Sequence, residues 1–343
     1  FQVIGPNGTL TAAHFPFTRF TDILDRTTLA TDKNDVTSSQ GVLNGKYTGI
    51  NTTTNLDKCT NLADPTFNVA GVNTRRVEPR NTPTVINALF NFRNFLDGRA
   101  NNNFNGVSPF GQRDAGAKVY QKNAGGGVDA VSVVIPHSSL ASQSVGPPLS
   151  FFEMSCDGRV WPMVGKRLLK STVIPLKQQN VHLQDSELGS LSRLALPTPG
   201  KGITKKYREL ITLAFQPVWW SSTALVTLPN GTGGTGQFSQ MEANFSLFFG
   251  LAVQAYERTL VADDTPVDKF LDGTGKLTAQ QQLGMVMFQT KGKCLNCHGG
   301  AELTNASVQN VENQRLERMV MGNDVCGIYD DGFYNIGSRP TDD

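Results

Sequence analysis

The feature that most restricts this chain is one pentapeptide, Cys294-Leu295-Asn296-Cys297-His298, followed at once by Gly299 and Gly300. Two thiols three residues apart, with an imidazole beside the second, form the spacing through which a c-type haem is attached. The reason is mechanical. Thiols on one helical turn can each add to a vinyl group of the same porphyrin, and the next residue brings an imidazole beneath the iron. The two glycines let the chain turn away beside the macrocycle. A zinc site would want a second pair of Cys or His ligands at short spacing, and none is nearby. A redox-active Cys-x-x-Cys would want a βαβ setting, which the flanking sequence lacks. Cys294 and Cys297 are therefore expected to carry a covalent haem c, with His298 as the proximal iron ligand.

A second iron ligand is not singled out. His14, His137 and His182 each read first as polar loop residues, and Met285 and Met287 sit on the helix before the cysteines, where packing is the default. Met319 and Met321 are better placed to fold back.

Charge and hydropathy exclude other classes. With 31 basic against 29 acidic residues and no basic run, nothing argues for nucleic acid. The longest apolar stretch, near 245–253, is too short for a membrane span. The chain starts at Phe1 and ends in loop-like sequence, which suggests an exported protein without its leader or a piece of a longer one. Of five cysteines, Cys59, Cys156 and Cys326 lie outside the motif, so at most one disulfide forms among them. The residues do not choose the pair, and three buried thiols are the alternative reading.

Residues 1–75 are rich in Thr, Asn, Gly and Asp and read as loops around a few aromatics. Residues 82–95 carry Val85, Leu89, Phe92 and Phe95 at helical spacing. The polar stretch 100–118 reads as a surface excursion, and 228–237 (LPNGTGGTGQ) as the clearest linker. Helices are expected at GKRLLKS, at 203–216 and, best of all, at 241–260, whose face is Phe245, Phe248, Phe249, Ala252, Val253, Tyr256 and Leu260. A further helix starts at Thr278, with Gln281 as its capping-box partner. The expected class is mainly α, with long irregular loops and few strands. Two domains are expected, 1–237 and 238–343.

Four ordered stretches, VEPRNTPTVINALFNFRNFLDGRA (77–100), LASQSVGPPLSFFEM (140–154), YERTLVADDTPVDKFLDG (256–273) and GMVMFQTKGKCLNCHGG (284–300), resemble the bacterial di-haem cytochrome c peroxidases and their MauG-type relatives. Within that family the chain is similar to a larger, loop-rich branch near the haem-containing rubber oxygenases. The resemblance implies two cytochrome-c-like helical domains, each with a haem, in a periplasmic or secreted protein. The CLNCH haem would pass electrons to a peroxidatic one. It also implies an electron-donor protein such as a small cytochrome or cupredoxin. Glu153 matches the family's acid–base carboxylate and Gln143 its distal-pocket glutamine. Asn81 matches an asparagine that helps hold a structural calcium.

The chain departs from the family pattern in three places. It has no second CxxCH, and it stops soon after His298, which suggests missing flanking segments or a companion chain. The family's tryptophan in FWDGRA is Leu96 here, an aliphatic side chain that cannot carry a hole between haems. The expected activity is peroxide reduction. The alternatives are an electron-transfer cytochrome subunit and a MauG-like or rubber-oxygenase-like haem oxidase acting on another substrate.

Overall fold

The computed structural model describes residues 11–15, 18–22, 25–32, 40–78, 82–320 and 326–334. The expectation of a mainly α protein with few strands does not hold. The described residues contain twelve strands, paired as six two-stranded antiparallel sheets. They are Thr18–Asp22 (β1) with Asp25–Asp32 (β2), Gly45–Ile50 (β3) with Asp57–Asn61 (β4), Asn68–Val69 (β5) with Val72–Asn73 (β6), Val119–Lys122 (β7) with Val128–Val131 (β8), Leu225–Pro229 (β9) with Thr235–Ser239 (β10), and Leu316–Val320 (β11) with Cys326–Asp330 (β12). The Asn- and Thr-rich sequence that reads as loop is turn chemistry between these strands. Asn51 Oδ1 accepts from the amides of Thr53 and Thr54 between β3 and β4. In 228–237, read above as a linker, Asn230 Oδ1 accepts from Thr232 and Gly234 and closes the β9–β10 hairpin.

Eight α-helices accompany the strands: Ser139–Ser144 (α1), Trp161–Leu168 (α2), Tyr207–Ala214 (α3), Gln240–Ala243 (α4), Phe245–Glu257 (α5), Pro266–Leu271 (α6), Ala279–Gln289 (α7) and Val308–Asn313 (α8). The helix expected over 82–95 is instead a single 3-10 turn, Ala88–Phe90, in irregular chain. Asn87 and Phe95 adopt left-handed backbone there, which interrupts any helix.

The core lies where α5 meets α1, α2 and the 100–120 segment. Phe104, Val119, Val145, Trp161, Met241, Phe245 and Phe248 are buried together. Residues 100–118 are thus no surface excursion. Their asparagines satisfy the backbone internally: Asn105 Oδ1 accepts from Val107 and Ser108 while its amide donates to the Gly111 carbonyl. The chain can then be buried without orphaned peptide groups.

Two buried amides lock α4 and α5 to the β7 strand. Gln240 donates to the carbonyls of Tyr120 and Val218 and accepts from Ser222. Asn244, between α4 and α5, accepts from the Tyr120 amide and donates to the carbonyls of Tyr120 and Trp219.

Cys59 and Cys156 form a disulfide that ties β4 to the segment before α2. Beside it, Asp57 takes Arg159 at 2.9 Å and Arg167 at 2.8 Å. Burial pushes the Tyr47 hydroxyl in the same cluster up to about 12. No helix among the described residues is long and apolar enough to cross a membrane.

Candidate active site

The thiol–imidazole motif is presented by the end of α7. Thr278 caps that helix as the sequence predicts: its hydroxyl accepts from Gln281, whose side chain accepts from the Thr278 amide. At the other end the Gly292 amide donates to the Met287 carbonyl at 2.8 Å. A Cβ on Gly292 would lie 2.9 Å from that carbonyl oxygen and 3.0 Å from Cys294 Sγ, so only glycine fits. Lys293 then turns left-handed, and Cys294–Asn296 forms a 3-10 turn. The amides of Cys297 and His298 both donate to the Cys294 carbonyl, which spreads the two thiols and the imidazole from a single turn.

The imidazole is oriented by a main-chain partner. His298 Nδ1 lies 3.1 Å from the Leu303 carbonyl oxygen. A carbonyl only accepts, so Nδ1 carries the proton and Nε2 keeps its lone pair for a metal. Asn305 braces the loop from inside. Its Oδ1 accepts from Gly299, its Nδ2 donates to the Asn296 carbonyl, and its own amide donates to the Cys297 carbonyl.

Both thiols are free and half-buried. No side chain of α7 is buried, and Leu283, Val286 and Met287 lie exposed, as do Leu295 and Leu303 around the motif. Free thiols, an imidazole with a bare Nε2 and apolar surface beside them fit a covalently attached haem, whose faces would cover that surface.

A second constellation surrounds a cavity of about 360 Å³ that Gln143, Glu153, Leu96, Arg99 and Glu257 all help to line. Gln143 sits on α1, whose first turn is held by α5. Gln254 Oε1 accepts from the Ala141 amide at 3.0 Å and its Nε2 donates to Ser138 Oγ at 3.0 Å. Asn94 donates to Ser139 Oγ from the other side. Gln143 Oε1 is itself buried and has no hydrogen-bond partner among the described residues.

Glu153 belongs to a turn in which the amides of Phe152 and Glu153 donate to Ser150 Oγ and those of Met154 and Ser155 to the Ser150 carbonyl. Arg76, paired with Asp64 at 2.8 Å, lies over the rings of Phe151 and Phe152, the two residues before Glu153. Burial raises the Glu257 carboxyl above the ordinary glutamate range. Leu96 is 80 % exposed at the cavity. Arg99 stacks over the neighbouring Phe95 ring at 3.8 Å.

Of the sequence-predicted residues, Gln143 and Glu153 share one cavity and Cys294, Cys297 and His298 share one turn. Asn81 lies outside the described residues, and so does Met321. Among the described residues, no group of three or more His, Cys, Asp or Glu side chains is arranged to hold a metal ion. His14 and His182 each accept a nearby backbone amide through Nδ1, and His137 faces Glu312 at 3.7 Å. Trp161 is buried and Trp219 and Trp220 pack against the core, and none of the three lines the cavity.

Sequence reasoning missed Gln254, Glu257 and Asn305. A polar residue at the buried position of an apolar helix would have flagged Gln254. Glu257 stood in a quoted motif without a role, and no spacing rule points to Asn305.

Comparison with known proteins gives a family match. The family model described as di-haem cytochrome c peroxidase matches residues 52–276. A cytochrome-c peroxidase of Denitromonas iodatirespirans is 37% identical over 75 residues, which is 22% of this chain and 20% of that protein. The cytochrome c551 peroxidase of Pseudomonas aeruginosa is 48% identical over 54 residues, 16% of this chain and 15% of its own length. A cytochrome c peroxidase of Escherichia coli is 42% identical over 59 residues, 17% of this chain and 12% of its own length. The matched stretch thus spans a fifth or less of each of these relatives. No solved structure matches the chain.

Proposed function

This chain belongs to the di-haem cytochrome c peroxidase family, and from that premise we propose that it is an exported haem c oxidoreductase reducing hydrogen peroxide at the Gln143–Glu153 cavity. The observation that carries the reading is that these two residues, one on α1 and the other on the turn that follows Ser150, line the same cavity. Cys294 and Cys297 would hold one haem through thioether bonds and His298 would ligate its iron, giving a redox centre that takes electrons from a donor protein. A second haem would have its attachment motif outside this sequence. On this reading residues 238–343 are the electron-entry domain and 1–237 the peroxide-facing one.

The chain's own part in the chemistry is positioning and proton transfer. Gln143 offers an amide donor and an unpartnered carbonyl oxygen to hydrogen peroxide. The clamp on α1 holds the helix that carries this side chain. Heterolysis of the O–O bond needs a proton taken from the inner oxygen and delivered to the outer one, and the Glu153 carboxylate can do both in turn. A bound haem would supply the redox chemistry, passing electrons from the donor protein to peroxide.

A second reading has one observation behind it. Leu96 stands exposed at the cavity where the family resemblance puts an oxidisable tryptophan, which favours oxidation of another substrate at this cavity over rapid exchange between two haems. Haem content by pyridine haemochrome with intact mass, followed by peroxide turnover, tests both. Peroxide consumption that falls by about 10²–10⁴ in Glu153→Gln supports the first reading. Wholly six-coordinate, low-spin haem with no turnover refutes it in favour of an electron carrier.

A further inference from the structure

We propose that Glu257 is a further proton-carrying residue of the cavity, handing protons from solvent to Glu153 during peroxide reduction. The inference rests on the reading of the cavity given above. Reduction of one hydrogen peroxide to two waters consumes two electrons and two protons. Glu153 can move the proton that peroxide brings with it, but the two consumed protons have to enter from outside. Glu257 is placed to admit them.

The residue lines the cavity shared by Gln143 and Glu153. It occupies the last position of α5, one turn beyond Gln254, the residue that clamps the helix carrying Gln143. One helix therefore sets both the height of Gln143 and the place of this carboxyl. Two features favour its protonated form. It is partly buried, which raises its pKa. It sits in the C-terminal turn, where the helix dipole disfavours negative charge. The charged groups that share the cavity wall with it are Glu78, Glu153 and Arg99, and Arg258 is next in sequence. The cavity has room for several waters at about 30 Å³ each, so the transfer need not be direct.

The step balances without electron movement. The Glu257 carboxylic acid breaks its O–H bond, a proton passes through water to the Glu153 carboxylate, and a new O–H bond forms there. The Glu257 carboxylate then takes a proton from bulk water. The electrons come from the donor protein that serves the haems.

The experiment uses the complete haem-loaded protein and Glu257→Gln, which keeps the shape and cannot titrate. With hydrogen peroxide as substrate, kcat is expected to fall about tenfold with KM for peroxide within about twofold, less than the roughly 10²–10⁴ of a direct acid–base residue because cavity water can carry part of the proton flow. The alkaline limb of the kcat–pH profile should lose one ionisation, and added formate should restore part of the rate. A readout independent of turnover is the infrared carbonyl band of a protonated carboxylic acid. It should titrate above the ordinary glutamate range in the wild type and be missing in the variant. A variant with the wild-type kcat and pH profile overturns the proposal, as does a wild type lacking that band. A wild type that consumes no peroxide overturns the functional reading itself, which separates the two failures.

Discussion

Gln254 offers the sharpest test of how the cavity is built. The side chain is 7 % exposed, on the face of α5 turned toward α1. Its carbonyl oxygen satisfies the Ala141 amide, one of the first-turn N–H groups that a helix cannot satisfy itself. Its amide donates to Ser138 Oγ, whose own hydroxyl donates to the Pro136 carbonyl. Replacing Gln254 by Leu keeps the volume and removes both bonds. Two neutral buried hydrogen bonds contribute about 1 kcal/mol each. The abandoned Ala141 amide is buried with no substitute acceptor, and that costs about 1–3 kcal/mol. The apolar side chain returns part of this, so a net loss of roughly 2–3 kcal/mol is expected. Urea unfolding followed by far-UV circular dichroism should show a lower midpoint at unchanged slope. KM for peroxide should rise, because α1 carries Gln143. A loss below about 0.5 kcal/mol with unchanged kinetics would refute the claim that this amide holds the helix.

Other expectations follow from the same contacts. His298→Ala should leave haem bound through the thiols yet displace the spectrum to a different ligation state, whereas Cys294→Ser with Cys297→Ser should abolish the haemochrome; retention of covalent haem in that double variant would refute the attachment. Cys59→Ser with Cys156→Ser opens a 97-residue separation, and chain entropy puts the loss at about 4–5 kcal/mol, to be read as a fall in urea midpoint. Asp57→Ala leaves Arg159, only 8 % exposed, without its carboxylate, and roughly 3–5 kcal/mol should be lost, whereas Asp57→Ala with Arg159→Met should recover much of it. Asp64 is pushed up by burial, but hydrogen bonds from Phe67, Arg76 and Thr66 outweigh that and hold it below the ordinary value. Its contribution is therefore complete above the unfolded aspartate pKa and lost as pH falls through the folded one, so Asp64→Asn should flatten the acid limb of the stability curve.

The sequence made some of this legible because local chemistry decided it. The Thr278–Gln281 box appears where the two side chains predict it, since both partners lie within one turn. Cys294, Cys297 and His298 come together on one turn, as close spacing in sequence requires. The stretch from Val85 to Phe95 shows how such reading fails. Its apolar spacing is helical, but Asn94 uses its amide on Ser139 and Asn87 binds the 260–262 backbone. Those long-range bonds outweigh a helix that has only propensity to support it. The six hairpins were hidden for a different reason. Each strand is eight residues or fewer, and several are too short for alternation to show.

The face of α5 shows why the cavity itself was less legible than the thiol motif. Counting apolar residues put Ala252, Val253 and Tyr256 on the buried side, yet Ala252 is exposed and Tyr256 is 65 % exposed. The helix instead buries Leu247, Gly250 and Gln254 alongside Phe245 and Phe248. Gly250 is there because a Cβ would lie 2.8 Å from the Phe104 ring, and Gln254 because α1 needs an acceptor. Neither residue adds to an apolar count. The face is selected by the requirement that every buried amide of a neighbouring helix end find a partner, an interaction with a segment over a hundred residues away. Glu257 follows from that choice. Turning Gln254 inward toward α1 carries the residue one turn later to the cavity wall, so the polar clamp and the cavity carboxyl share one rotation of α5.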